Sequence, residues 1–274
     1  MKVHIISLQR TGSKALESAI YKALDNPLSI EGGDPLGEFL HCWSYYGYKF
    51  GPSAKKPFDP AAEIVFKTHP KYEDYQGVAF DVLPCFEDGH SNLEWELVDH
   101  TDVLTSVDVS YRLGLIKKTD RNLVVKTQLA SLYEDIGEDR ISLSYLDSIF
   151  DLTIFLSPSN PVQWLCSNFM CDASGVFVSC AQQSSFADYA KLNPLTIPEE
   201  YIRKLRTRYL RHQDMSLSYS ECMYFQTDDL KNPKLIEDCF KDVLPDVKIE
   251  YVPEFSAFDY STMIANYDEV REAF

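Results

Sequence analysis

The sequence predicts an α/β fold built on a mostly parallel sheet, and three stretches carry that prediction. Met1–Leu8 is a short, β-branched apolar run that passes through a glycine loop into residues of helical spacing. Asn122-Leu-Val-Val-Lys126-Thr127-Gln128 reads as a second strand and Phe150-Asp-Leu-Thr-Ile-Phe-Leu156 as a third. Near-continuous apolar runs of this kind suit parallel strands covered on both faces. The 274 residues suffice for one large α/β domain or two small ones. With no internal repeat and no low-complexity linker, the chain reads as one domain.

Composition narrows the class. Hydrophobic content of 45%, with 17 Tyr and 16 Phe, points to a packed core rather than disorder. A net charge of −16 argues against a nucleic-acid surface, which needs clustered Lys and Arg, and confines any anion site to a few local cations. The seven Cys are odd in number and lack C-x-x-C pairs, which favours free thiols in a reducing compartment over disulfides or zinc. The amino end carries His4 and leads into a polar loop, unlike a signal peptide, and no apolar run approaches the ~20 residues of a membrane span. A soluble, cytoplasmic protein is expected.

The first strand ends in Gln9-Arg10-Thr11-Gly12-Ser13-Lys14, and Ala15, Leu16, Ala19, Ile20, Ala23 and Leu24 follow at helical spacing. A strand, a glycine turn and a helix start direct several backbone N–H groups to one point, where the positive end of the helix favours an anion. Arg10, Lys14, Thr11 and Ser13 add cationic and hydroxyl donors, so the loop reads as a phosphate or sulfate cradle. The Walker A order G-x-x-x-x-G-K-[ST] is absent. The shorter Arg10-Thr11-Gly12-Ser13 resembles the 5′-phosphosulfate loop of sulfotransferases, which use 3′-phosphoadenosine 5′-phosphosulfate (PAPS).

Asp25-Asn26-Pro27 ends the first helix. The glycine-rich Glu31-Gly-Gly-Asp34-Pro-Leu-Gly-Glu38-Phe39 that follows resembles the G-x-P-x-E-[FY] segment of bacterial glycolipid and carbohydrate sulfotransferases. The resemblance makes Glu38 the general base, ahead of Asp34 and Glu31; a sugar hydroxyl is a poor nucleophile until a carboxylate takes its proton. Residues 41–62 are aromatic and turn-rich, and Tyr45, Tyr46 and Tyr48 suit either packing or stacking on a sugar. Lys67-Thr68-His69 resembles a cytosolic sulfotransferase strand end whose His is the base, which makes His69 the rival to Glu38. Residues 71–120 mix acids with short β-like runs (Leu93–Val98, Ser106–Ser110) and read as an inserted lid or hairpin. His90 and His100 have no partner at metal spacing.

Lys126-Thr127-Gln128 stands where the Lys-Thr-His strand is expected, and Gln cannot act as a base, which favours Glu38. A helix is expected at about 131–148. The strand at 150–156 runs into Ser159-Asn160-Pro161-Val-Gln163-Trp-Leu-Cys-Ser167. Sulfotransferases place R-x-P-x-[DE]-x-x-x-S here, with Arg and Ser on the 3′-phosphate of the cofactor. Asn160-Pro161 and Ser167 keep that register, while Ser159 replaces the Arg and Gln163 the acid. A lost guanidinium contact is typically worth about 1.5–3 kcal/mol, roughly ten- to hundred-fold in affinity. Lys191, Arg203 and Arg206 are candidates to compensate.

Thr196-Ile-Pro198-Glu-Glu opens a helix, and Arg203 to Arg211 put five basic residues within nine on it. Those five suit a solvated face or an approach to the phosphates. Glu221–Pro233 resembles a family strand end of the form Y-E-D-L-x-x-x-P, with an amphipathic helix at 233–244. Tyr267–Phe274 reads as a short terminal helix. Together these motifs resemble the sulfotransferase branch of P-loop proteins, over roughly 1–40 and 122–245.

The resemblance implies a P-loop-type three-layer α/β sandwich with its ligand at the carboxyl ends of the strands. It implies PAPS as cofactor, a hydroxyl acceptor of carbohydrate or glycolipid type, and in-line sulfuryl transfer. Arg10, Lys14 and the loop through Thr11, Gly12 and Ser13 would hold the 5′-phosphosulfate, Glu38 would act as base, and Ser159 and Ser167 would lie beside the 3′-phosphate. No metal is required, since Arg10 and the loop supply what Mg²⁺ supplies in kinases. Two other classes remain open: a sulfotransferase-like domain without catalysis that serves in binding or assembly, and a nucleotide-dependent kinase.

Overall fold

The structure is a computed structural model that describes residues 1–28, 35, 40, 80–82, 97–99, 113–114, 116–136, 141–174, 195–219, 221–249 and 258–274. Its centre is a four-stranded, all-parallel sheet in the order β4-β1-β5-β6, formed by β1 (Lys2–Ser7), β4 (Leu123–Thr127), β5 (Leu152–Ser157) and β6 (Met223–Gln226). The first three are buried along almost their whole length, as their unbroken apolar runs require. β6, at the sheet edge, buries Phe225 and exposes its neighbours Tyr224 and Gln226. β1 and β4 pair in register from Lys2 opposite Leu123 to Ile6 opposite Thr127.

The helices described along their whole length include α1 (Ser13–Ala23), α2 (Leu129–Ile136), α3 (Leu143–Asp147), α4 (Pro161–Ser174), α5 (Glu199–Ser218), α6 (Pro233–Phe240) and α7 (Tyr267–Glu272). α1 buries Leu16, Ala19 and Ile20, the inward stripe expected from its spacing, and Leu24 just beyond it is buried too. Asn26, with φ 45°, then turns the chain out of the helix in the left-handed region that Asn tolerates. The single helix expected over about 131–148 is two helices, because Ser142 caps a new start: its side chain accepts from the Tyr145 N–H. Pro198 is the N-cap of α5, with Glu199 and Glu200 in its first turn. Within the 71–120 stretch, β2 (Phe80–Val82) and β3 (Leu97–Asp99) pair antiparallel; Ser106–Ser110 lies outside the described residues.

Contacts group the chain into two units, Met1–Ile6 with Glu17–Ile154, and Ser7–Leu16 with Phe155–Phe274. In the first, the α-amino group of Met1 donates to Asn122 Oδ1, and the Lys2 N–H donates to Asp151 Oδ2 at 2.7 Å. The buried His4 stacks on Phe150, with ring centroids 4.4 Å apart, and its Nε2 lies 2.9 Å from Thr127 Oγ1.

In the second unit, Phe155 packs tilted against His212 and edge-on with Tyr219, and Phe225 stacks on Phe240. Fully burying one such Phe contributes about 1.5–3 kcal/mol. The last described segment is tied down by backbone bonds: Leu195 N–H to Met263 O at 3.0 Å and Ala265 N–H to Leu195 O at 2.9 Å. Among the described residues, no helix is long and apolar enough to cross a membrane.

Candidate functional site

The loop between β1 and α1 is shaped by two left-handed residues, Arg10 at φ 60° and Gly12 at φ 76°. Gly occupies that region without steric cost, whereas Arg does not, so Arg10 is held there by its surroundings. Thr11 is fully buried, and its hydroxyl donates to the Leu8 carbonyl at 2.8 Å, closing the loop from inside. The Ala15 N–H returns to the Gly12 carbonyl at 3.0 Å, which starts α1. The first turn of α1 carries no acid, while Lys14 is exposed and Gly12 and Ser13 are half-buried. This turn is therefore open to solvent on the side of Gly12, Ser13 and Lys14, and its helix end favours an anion.

α4 secures the loop from the other end of the sequence. Trp164 Nε1–H donates to the Gln9 carbonyl at 2.8 Å. Three residues on, Ser167 Oγ accepts from Arg10 Nε–H at 3.2 Å. Adjacent loop residues thus meet residues one turn apart on a single helix face. Tyr260, on the same unit, is 5% exposed. Burial pushes the Tyr260 phenol up to about 12, with Ser167 and the Arg10 charge acting the other way, so it is protonated at neutral pH. Cys171, one turn beyond Ser167, is pushed up to about 11 by burial, with Arg10 again opposing. A thiol at that value is not a nucleophile at neutral pH. Among the described residues, Cys166, Cys171, Cys222 and Cys239 are not in disulfides.

Ser159 does something else. Its hydroxyl accepts from the Asp228 N–H at 2.8 Å and so ties the end of β5 to the 3₁₀ turn Thr227–Lys231. Thr227 Oγ1–H donates to the Ser157 carbonyl at 3.1 Å beside it. Of the cations suggested as substitutes for the missing Arg, Arg206 donates through Nε to the Ala273 carbonyl, and the exposed Arg203 gives its carbonyl to Thr207 Oγ1–H. The guanidinium beside Ser167 is that of Arg10.

The structure therefore brings Arg10, Ser167 and the loop through Lys14 together and gives Ser159 a structural partner. Glu38, Glu31, Asp34, His69 and Lys191 lie outside the described residues, as do Tyr45, Tyr46 and Tyr48, and His90 and His100. Trp164 and Tyr260 were not among the residues read from the sequence. Trp164 had a signal, its i, i+3 spacing to Ser167 on a helix; Tyr260 had none, being one of 17 tyrosines in an aromatic-rich chain. Compared with family models and with curated proteins, the sequence matches no family model and no curated protein.

Proposed function

We propose that the chain is a sulfotransferase-like enzyme that moves a sulfuryl group from PAPS to a hydroxyl acceptor, of carbohydrate or glycolipid type. The observation that carries this reading is the bond from Arg10 to Ser167, residues 157 apart in sequence. It joins the two segments that the resemblance assigns to the two phosphate ends of one nucleotide. The donor set suits such a ligand: a helix start without acids in its first turn, the exposed residue Lys14, and a guanidinium beside a hydroxyl. Ser159 already accepts from the Asp228 N–H, so beyond that tie it has only its own O–H to offer a phosphate, not the charge of the arginine it replaces.

When bound, PAPS supplies an activated sulfuryl group whose departure leaves adenosine 3′,5′-bisphosphate. The loop N–H groups, Arg10 and Lys14 would hold the anion and stabilise the charge that grows on the bridging oxygen as the S–O bond breaks. Glu38 would take the acceptor proton as the new S–O bond forms, the role the resemblance gives it. Ser167 would stand on the 3′-phosphate side, with Arg10 beside it in place of the arginine that Ser159 replaces.

The test is titration calorimetry with adenosine 3′,5′-bisphosphate. Micromolar binding that Arg10→Ala abolishes is the expected result. No binding at millimolar ligand would overturn the enzyme reading in favour of a domain that has lost catalysis and serves in binding or assembly, which the replacement of the expected arginine by Ser159 favours. Binding of ATP only with Mg²⁺ would instead indicate a kinase.

A further inference from the structure

α5 buries Ile202, Leu205, His212 and Met215 along one side. A surface helix of this kind is expected to be polar on the opposite side. α5 is not. Leu217 is 84% exposed and Leu210 43%, and they stand seven residues apart, two turns along one row. Arg203 continues that row seven residues before Leu210, and Asp214 lies beside it one turn after; both are exposed.

The flank of that row is apolar as well. Arg206, Tyr209 and Gln213 form the adjoining stripe at helical spacing. Phe274, itself exposed, packs edge-on against Tyr209 with ring centroids 5.6 Å apart, and Arg206 Nε–H holds the preceding Ala273 carbonyl. Further along, the exposed Tyr224 of β6 donates its hydroxyl to Gln213 Oε1 at 3.3 Å. Four exposed apolar residues, Leu210, Leu217, Tyr224 and Phe274, thus gather on or beside one helix. Exposed apolar groups gathered in this way mark a surface that another molecule covers.

We propose that this face of α5 is the contact surface between two copies of the chain, with the helices antiparallel across a two-fold axis at Leu210. The charges on the face decide the partner. Arg203 and Arg206 precede Leu210 and Asp214 follows it, so reversing the helix direction sets Asp214 towards Arg203 and Arg206 of the copy, and does so twice. Leu210 meets its own counterpart at the axis, and Leu217 lies along the aliphatic stem of the copy's Arg203. Lys204, Arg208 and Arg211, the rest of the basic cluster, lie round the other flank of the helix. At a net charge of −16 two copies repel each other unless they meet where the surface is not acidic, and residues 203–211 hold five basic side chains.

Sedimentation velocity on the full chain tests this. Wild-type protein at micromolar concentration should sediment with twice the 31.4 kDa of one chain. Arg203→Glu and Asp214→Lys should each weaken the dimer about fivefold or more, because each sets like charges against each other at two places. Combined in one chain they restore opposite charges, and the affinity should return to within about threefold of wild type. Leu210→Glu puts two carboxylates at the axis and should give a monomer. These changes fall on exposed side chains, so each variant should melt as wild type does by circular dichroism. A wild-type chain that stays monomeric up to millimolar concentration would overturn the proposal. So would a dimer that Leu210→Glu leaves intact, or a double reversal that associates no better than the single ones.

Discussion

The ammonium of Lys126 lies 3.6 Å from the carboxylate of Glu17, and the two side chains are only 6% and 5% exposed. Lys126 sits near the end of β4 and Glu17 in the second turn of α1, so a buried ion pair ties a strand to the helix that follows the loop. Such a pair is costly to break from one side, because the remaining charge stays buried without its counterion. Glu17→Met and Lys126→Met should each destabilise the fold by about 3–5 kcal/mol, while the double variant should recover most of that loss. Urea unfolding of the four proteins checks this. A double variant as unstable as the sum of the singles would show that the pair is not a unit.

Two buried histidines make the fold acid-sensitive. Burial holds His4 down to about 3 and His212 down to about 4. Among the described residues, neither ring nitrogen of His212 has a hydrogen-bond partner of good geometry, though the Leu156 backbone works against the burial effect. A depressed histidine is charged more readily in the unfolded chain, where its value is ordinary, so stability is full above ~6.5 and falls as the pH drops below it. By pH 4 each group should have cost on the order of 3 kcal/mol. Thermal unfolding from pH 7 to pH 4 should show a steep fall, and His212→Leu should flatten it. An equal slope in that variant would mean that other groups carry the acid response.

Ser159 separates what resembles a binding motif from what the chain does with it. Because its hydroxyl caps the turn at Asp228, Ser159→Ala should lower stability by about 0.5–1.5 kcal/mol and leave bisphosphate binding within about twofold. Chemical denaturation and calorimetry on the same variant decide the matter. A large loss of binding with unchanged stability would return Ser159 to the ligand.

Three of the sheet's strands were legible because β1, β4 and β5 are near-continuous apolar runs, a pattern that needs no tertiary information. β1, β4 and β5 fall within one or two residues of the runs that announced them. The loop was legible for the same local reason: Gly12 between a strand and a helical stripe has few other uses. What was not legible is everything set by contacts distant in sequence. Nothing near Ser159 foretells that Asp228 will use its hydroxyl. Only the folded chain shows that the guanidinium beside Ser167 belongs to Arg10. The split of the 131–148 helix lies between these cases, since Ser142 is a capping residue that a local reading could have weighed.

Arg10 itself offers the sharpest separation of stability from function. At φ 60° its side chain costs roughly 1–2 kcal/mol that a glycine would not. The bond to Ser167 offsets about 1 kcal/mol of that. Arg10→Gly should therefore leave the unfolding free energy within about 1 kcal/mol of wild type, while bisphosphate binding is lost with the guanidinium. Arg10→Lys keeps both the charge and the left-handed strain but loses the planar fork, so it should be slightly less stable and should bind at least about tenfold more weakly. Denaturant melts paired with calorimetry read both axes. If Arg10→Gly binds the bisphosphate as tightly as wild type, the arginine is there for the loop's shape alone, and the anion must be held by the backbone and Lys14.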